Sequence, residues 1–74
     1  MSRRDPVHIA FGRNVRKRRE GIDLTQEALA EKAGLDRTYI SDIERGSRNL
    51  SISNIVRIAK ALGTTASDLC RRIH

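Results

Sequence analysis

The sequence predicts an all-α fold of five short helices, and three observations predict it. No segment alternates polar and apolar residues with period two, so no strand is expected. Glycines recur at helix-length intervals: Gly21, Gly34, Gly46 and Gly63 each follow a helix-like stretch, where a left-handed residue ends a helix. One start signal also occurs three times. Leu24-Thr25, Leu35-Asp36 and Leu50-Ser51 each set an apolar residue before a good N-cap, and five positions after each leucine stands Leu29, Ile40 or Ile55. At that spacing the leucine packs on the first turn of the helix it precedes.

The first helix is expected over 6–20, where Phe11 and Val15 form an i,i+4 apolar pair. The second spans 26–33, with Ala28, Leu29 and Ala33 inward and Ala30 nearby. The third spans 37–45 and turns Ile40 and Ile43 inward. The fourth, 52–62, is the most apolar. At 100° per residue Ile52, Ile55, Val56, Ile58, Ala59 and Leu62 cover an arc of about 160°, wider than one helix contact needs. The fifth, 66–73, carries a narrower stripe of Ala66, Leu69, Cys70 and Ile73, and Thr65 with Asp68 offers a weak capping box.

A chain of 74 residues is expected to form one domain over 1–74, with 1–5 a flexible basic start. Its core is modest, and association would add to its stability. The lone Cys70 excludes an internal disulfide and fits a reducing cytoplasm. No apolar run approaches the roughly 20 residues of a membrane span. The net charge is +6, and its sign is unevenly placed. Residues 1–20 carry seven bases and two acids, residues 21–47 three and six, and residues 48–74 five and one. Cations flanking the middle segment suit an anionic partner, most often nucleic acid, although a solvated basic surface has the same composition.

Only Gly34, Leu35 and the cap Asp36 join the second and third helices. So short a joint sets two helices at a steep angle, with the small Ala30 where they cross: a helix-turn-helix. On the wheel of the third helix Thr38, Arg45, Ser41 and Asp42 lie opposite Ile40 and Ile43, and Arg37 and Tyr39 flank that face at its N-terminal end. Residues so placed on a recognition helix reach base edges in the major groove. We therefore expect Arg37, Thr38, Tyr39 and Ser41 to read the duplex. Arg37 suits guanine O6 and N7. Thr38 offers a hydroxyl to a base and a methyl to thymine. Tyr39 and Ser41 suit phosphate, sugar or a thymine methyl. Arg45, on the same face, is expected at the DNA backbone. Asp36 is read as a cap. Asp42 either orients Arg45 or discourages wrong sequences. Glu44 falls near the buried side and needs a cation, which the run Arg16-Lys17-Arg18-Arg19 can supply.

The segment LTQEALAEKAGLDRTYISDIERGSRNLS resembles the lambda-repressor-like, XRE-type helix-turn-helix family from about residue 10 to residue 70. Its carriers are Gln26, Ala30, Gly34, Ile40, Ile43 and Glu44-x-Gly46. More narrowly, GLDRTYISDIERGSRNLSISNI is similar to the controller proteins of restriction–modification systems, small dimeric regulators that bind paired operator half-sites. The resemblance implies a lambda-repressor-like fold and several roles. Gln26 bonds a phosphate at the positive end of its helix. Arg48 and Asn49 touch backbone or base edges. Arg19 matches the family arginine that pairs with the glutamate at Glu44. Asp42 departs from the small or amide residue of many relatives. Arg3 and Arg4 form a longer basic start, either a minor-groove arm or a disordered end.

One short helix reads too few base pairs to select a site, so a twofold pair reading half-sites about 34 Å apart is expected. The surplus of the fourth helix, Ile52 and Ile55, together with Leu50 and Ile73, is the candidate interface; the family's dimers use this region too. The partners expected are operator DNA and a second copy, with Glu27 and Glu31 as a surface for RNA polymerase. No membrane, cofactor, metal or small-molecule ligand is expected, and the setting is the bacterial cytoplasm, on the nucleoid. A protein-binding module of antitoxin type is the alternative, though no segment looks dedicated to a toxin. A nonspecific nucleic-acid coat is a third reading. His8 and His74 stand far apart with no carboxylate pair, metal-ligand spacing or phosphate-cradling glycine loop, so catalysis is not expected.

Overall fold

The computed structural model describes residues 5–73. Arg3, Arg4 and His74, on which expectations above rest, lie outside the described residues. The elements are α1 (Pro6–Gly21), α2 (Gln26–Ala33), α3 (Arg37–Glu44), α4 (Ile52–Ala61) and α5 (Ala66–Leu69), with no strand among the described residues. α3 packs on both α1 and α2, α4 on α2, and α5 closes against α1 and α4. Phe11, Val15, Leu29, Ile40, Ile43, Ile58 and Leu62 are the largest fully enclosed side chains. Burying each contributes about 1.5–3 kcal/mol. That contribution holds helices of only four to sixteen residues, most of them too short to persist alone in water.

The starts follow the caps. Asp5 accepts from the Val7 amide, Thr25 from Ala28, Asp36 from Thr38, Ser51 from Asn54 and Thr65 from Asp68. The ends follow one device. After α2 the amide of Leu35 bonds the Ala30 carbonyl (2.9 Å) and that of Gly34 the Glu31 carbonyl (3.3 Å). Ser47 to Asp42 with Gly46 to Ile43, and Thr64 to Ala59 with Gly63 to Lys60, repeat the pattern after α3 and α4. All three are Schellman closures, whose penultimate residue takes the left-handed region. Gly34, Gly46 and Gly63 hold it, at φ 70, 71 and 69. Leu24 and Leu35 thus each follow one closure and precede one cap, and a single half-buried leucine serves two helices.

Four expectations are corrected. Gly21 is the last residue of α1 and not its left-handed terminator; Asp23 takes that conformation (φ 59), with Leu24 bonding the Arg19 carbonyl at 3.1 Å. Aspartate is among the few side chains that tolerate it. The fifth helix does not run to 73. It ends at Leu69, because the Asn14 side chain donates to the Leu69 and Arg71 carbonyls (2.7 and 3.0 Å) and Arg72 turns to φ 60. Ile73 is therefore a half-buried residue of the following turn. The capping box is half made, since the Asp68 carboxylate accepts from the Thr64 hydroxyl (3.2 Å). In α2, Ala30 is buried and Ala28 only half-buried.

Candidate nucleic-acid interface

The site starts from how α3 is seated. Ile40 and Ile43 are fully buried. Together they supply about 3–6 kcal/mol to a helix of two turns. Below it lies a closely fitted crossing that the sequence did not announce. At Gly12 of α1 an added Cβ would stand 2.2 Å from the Ile43 carbonyl oxygen and 2.9 Å from that of Glu44. Only glycine lets α1 approach the end of α3 so closely. Its one signal is its place inside a helical stretch, where glycine otherwise costs stability.

Glu44 is anchored beside that crossing. Its carboxylate receives both Arg19 Nε (2.6 Å) and Arg19 Nη2 (3.0 Å), a two-pronged pair with the side chains 11% and 4% exposed. Arg19 Nη1 donates to the Leu24 carbonyl (2.7 Å). The hydrogen bond to Glu44 holds the Arg19 guanidinium above its ordinary pKa; burial opposes this, and the Glu44 and Glu20 charges add to it. Of the four cations in the run 16–19, Arg19 is thus the one that faces Glu44. Gln26 Nε2 donates to Glu44 Oε1 at 3.1 Å, which ties the start of α2 to the foot of α3. That bond uses one amide hydrogen, and the second remains to donate elsewhere.

The outer side of α3 is polar. Arg37 and Thr38 are exposed and Ser41 is half-buried. Asp42 gathers two arginines: Arg45 Nη2 on Oδ1 and Arg48 Nη2 on Oδ2, the latter at 2.9 Å. Arg45 Nη1 also donates to the Ser41 hydroxyl (3.0 Å). Tyr39 is not on the open face. It is half-buried at the seam with α4, its hydroxyl accepts from Asn54 Nδ2 (2.9 Å), and the Arg48 guanidinium lies 4.9 Å from its ring centroid. Asn54 escaped notice in the sequence because one asparagine inside a helix carries no pattern. Asn49 is exposed beyond this cluster.

The apolar surplus of α4 is divided. Ile58, Ala59 and Leu62 are buried, while Ile52 is 81% exposed and Val56 38%. Leu50, Ile55 and Ile73 are half-buried and lean on the core. Among the described residues no group of three or more histidines, cysteines or carboxylates is arranged to hold a metal, and no helix is long and apolar enough to cross a membrane.

Comparison with known proteins gives one picture. The helix-turn-helix family model matches residues 15–69. The chain is 50% identical over 64 residues to control protein C.BamHI of Bacillus amyloliquefaciens, covering 85% of this chain and 79% of that protein. Among solved structures, it superposes with TM-score 0.82 and 42% identity on the restriction–modification controller protein C.AhdI from Aeromonas hydrophila, covering 84% of this chain and 94% of that one. It is also similar to the restriction–modification controller protein C.Esp1396I, solved as a tetramer with its natural 35 base-pair operator. That match has TM-score 0.76 and 44% identity, over 80% of this chain and 78% of that one.

Proposed function

Since the chain belongs to the XRE-type helix-turn-helix family and has a lambda-repressor-like, all-α fold, we propose that it is a homodimeric, sequence-specific DNA-binding regulator of transcription, the controller protein of a restriction–modification system. One observation carries the reading: Ile40 and Ile43 are fully buried while Arg37 and Thr38, at the N-terminal end of the same helix, stand in solvent. A helix fixed on one side and polar at its leading end is what the major groove admits. Arg37, Thr38, Tyr39 and Ser41 then meet bases or their immediate surroundings. Gln26, Arg45, Arg48 and Asn49 meet the backbone, with Gln26 using the amide hydrogen that Glu44 leaves. Ile52, Leu50, Ile55 and Ile73 form the twofold contact, and the whole chain acts as one domain.

The similarity to C.BamHI, C.AhdI and C.Esp1396I supports the narrower role, and the operator-bound tetramer of C.Esp1396I supports paired sites. Selection of bound duplexes from a random pool tests it. The expected outcome is a common motif with twofold symmetry and half-sites about one turn apart. A pool that stays random refutes the reading. Co-purification of a protein partner in place of DNA would favour the antitoxin-type alternative.

A further inference from the structure

Asp42 stands out on a helix meant to approach phosphates. A carboxylate there repels DNA, yet it lies on the outer side of α3 with its side chain only 18% exposed, because two guanidiniums cover it. Arg45 comes from the next turn. Arg48 reaches back six positions from the loop, and its other face rests on the Tyr39 ring. Ser41 holds Arg45 from the side. Three charged groups therefore act as one unit of net charge +1, fixed against the helix.

We propose that Asp42 is a specificity-determining positioning residue: by holding Arg45 and Arg48 on one carboxylate, it suppresses binding to non-operator DNA more than binding to the operator. This rests on the DNA-binding reading above. Affinity for arbitrary duplex is almost wholly a charge effect, set by how many phosphates the protein neutralises. Asp42 cancels one cation of the interface and offers both arginines a partner with which any phosphate must compete. Operator binding adds base contacts from α3 that arbitrary sequence does not return. There the same carboxylate helps, because it presents both arginines in a fixed position and lowers the entropy lost on ordering two long side chains. Asp42 itself touches no base; its effect passes through Arg45 and Arg48.

The test uses the full chain, the duplex recovered by selection, and a scrambled duplex of equal length and composition. Wild type, Asp42→Asn and Asp42→Glu are titrated with each duplex across a salt series. Thermal unfolding of each variant is followed alongside. For Asp42→Asn we expect one further counterion released per protomer on scrambled DNA. With two protomers on the duplex, the log–log salt dependence steepens by about 1.8 and the affinity rises about sixtyfold near 0.1 M salt. Operator affinity changes less than threefold, so the ratio of the two falls. Asp42→Glu keeps the charge and the wild-type salt slope. A purely structural role would shift the melting point and leave the slope alone. An unchanged slope on scrambled DNA in Asp42→Asn overturns the proposal, as does an equal gain on both duplexes. Failure of wild-type protein to prefer the selected duplex would instead refute the functional reading.

Discussion

Under the proposed function, Arg37 is the residue on which sequence discrimination would be most concentrated. It is exposed at the first position of α3, and a guanidinium there can pair both acceptors of one guanine. Replacing it with alanine is expected to cost about 1–3 kcal/mol and to relax preference at one base position in each half-site. Competition with operators altered one base at a time measures both. Glu44 makes the opposite kind of contribution. Glu44→Ala would leave Arg19 enclosed without its counter-charge and release Gln26 from α3. Breaking such a buried pair costs about 3–5 kcal/mol. In a domain whose whole stability is on the order of 5–10 kcal/mol, urea titration should show a large fall in midpoint. The wheel of α3 already places Glu44 near the core, and a cation-rich run stands upstream to meet it. Tyr39 was less legible. Its wheel position marks it as flanking, but Asn54, which holds its hydroxyl, is fifteen residues away, and that pairing arises only once the tertiary fold brings the two helices together.

The helices themselves were legible wherever their ends obey local chemistry. Thr25, Asp36, Ser51 and Thr65 cap as side chains of their kind do, and Gly34, Gly46 and Gly63 close as glycine permits. The local rules failed at two places. A long-range contact stops α5 early, because Asn14, fifty-five residues from Leu69, bonds the Leu69 and Arg71 carbonyls; α1 runs through Gly21 because Asp23, two residues on, turns left-handed in its stead. Gly12 belongs to the same class. Its need for glycine comes from α3 lying against it and not from its own helix, where Ala would normally be preferred. Gly12→Ala is therefore expected to destabilise by about 3 kcal/mol, although helix propensity alone favours it by about 1 kcal/mol. The sign decides between them. Chemical denaturation showing a stabilised variant would mean that α1 and α3 do not cross so closely. The displacement should also weaken operator binding, because α3 is positioned from this crossing.

At the scale of the whole molecule, the question is what covers the outer side of α4. Leu62, Ile58 and Ala59 already close the core, so Ile52 adds little to it. Under the proposed function, Ile52, 81% exposed, and the half-buried Leu50, Ile55 and Ile73 would meet a second copy. Twofold symmetry makes that contact self-complementary: the strip formed by Leu50, Ile52, Ile55 and Ile73 would meet its own image and set two α3 helices on one side of the pair. The charge pattern agrees, since the +5 and +4 ends surround a middle segment three of whose six acids, Asp36, Asp42 and Glu44, are spent on a cap and ion pairs. Ile52→Asp places two carboxylates against each other across such an axis while removing little from the core. We expect a variant that melts within a few degrees of wild type, sediments as a monomer, and binds the two-half-site operator at least a hundredfold more weakly. Its binding to a single half-site should be unchanged, because α3 is intact. Sedimentation as a dimer would move the interface elsewhere. An unfolded variant would show instead that this strip supports the fold of each protomer, because the two copies are stable only together.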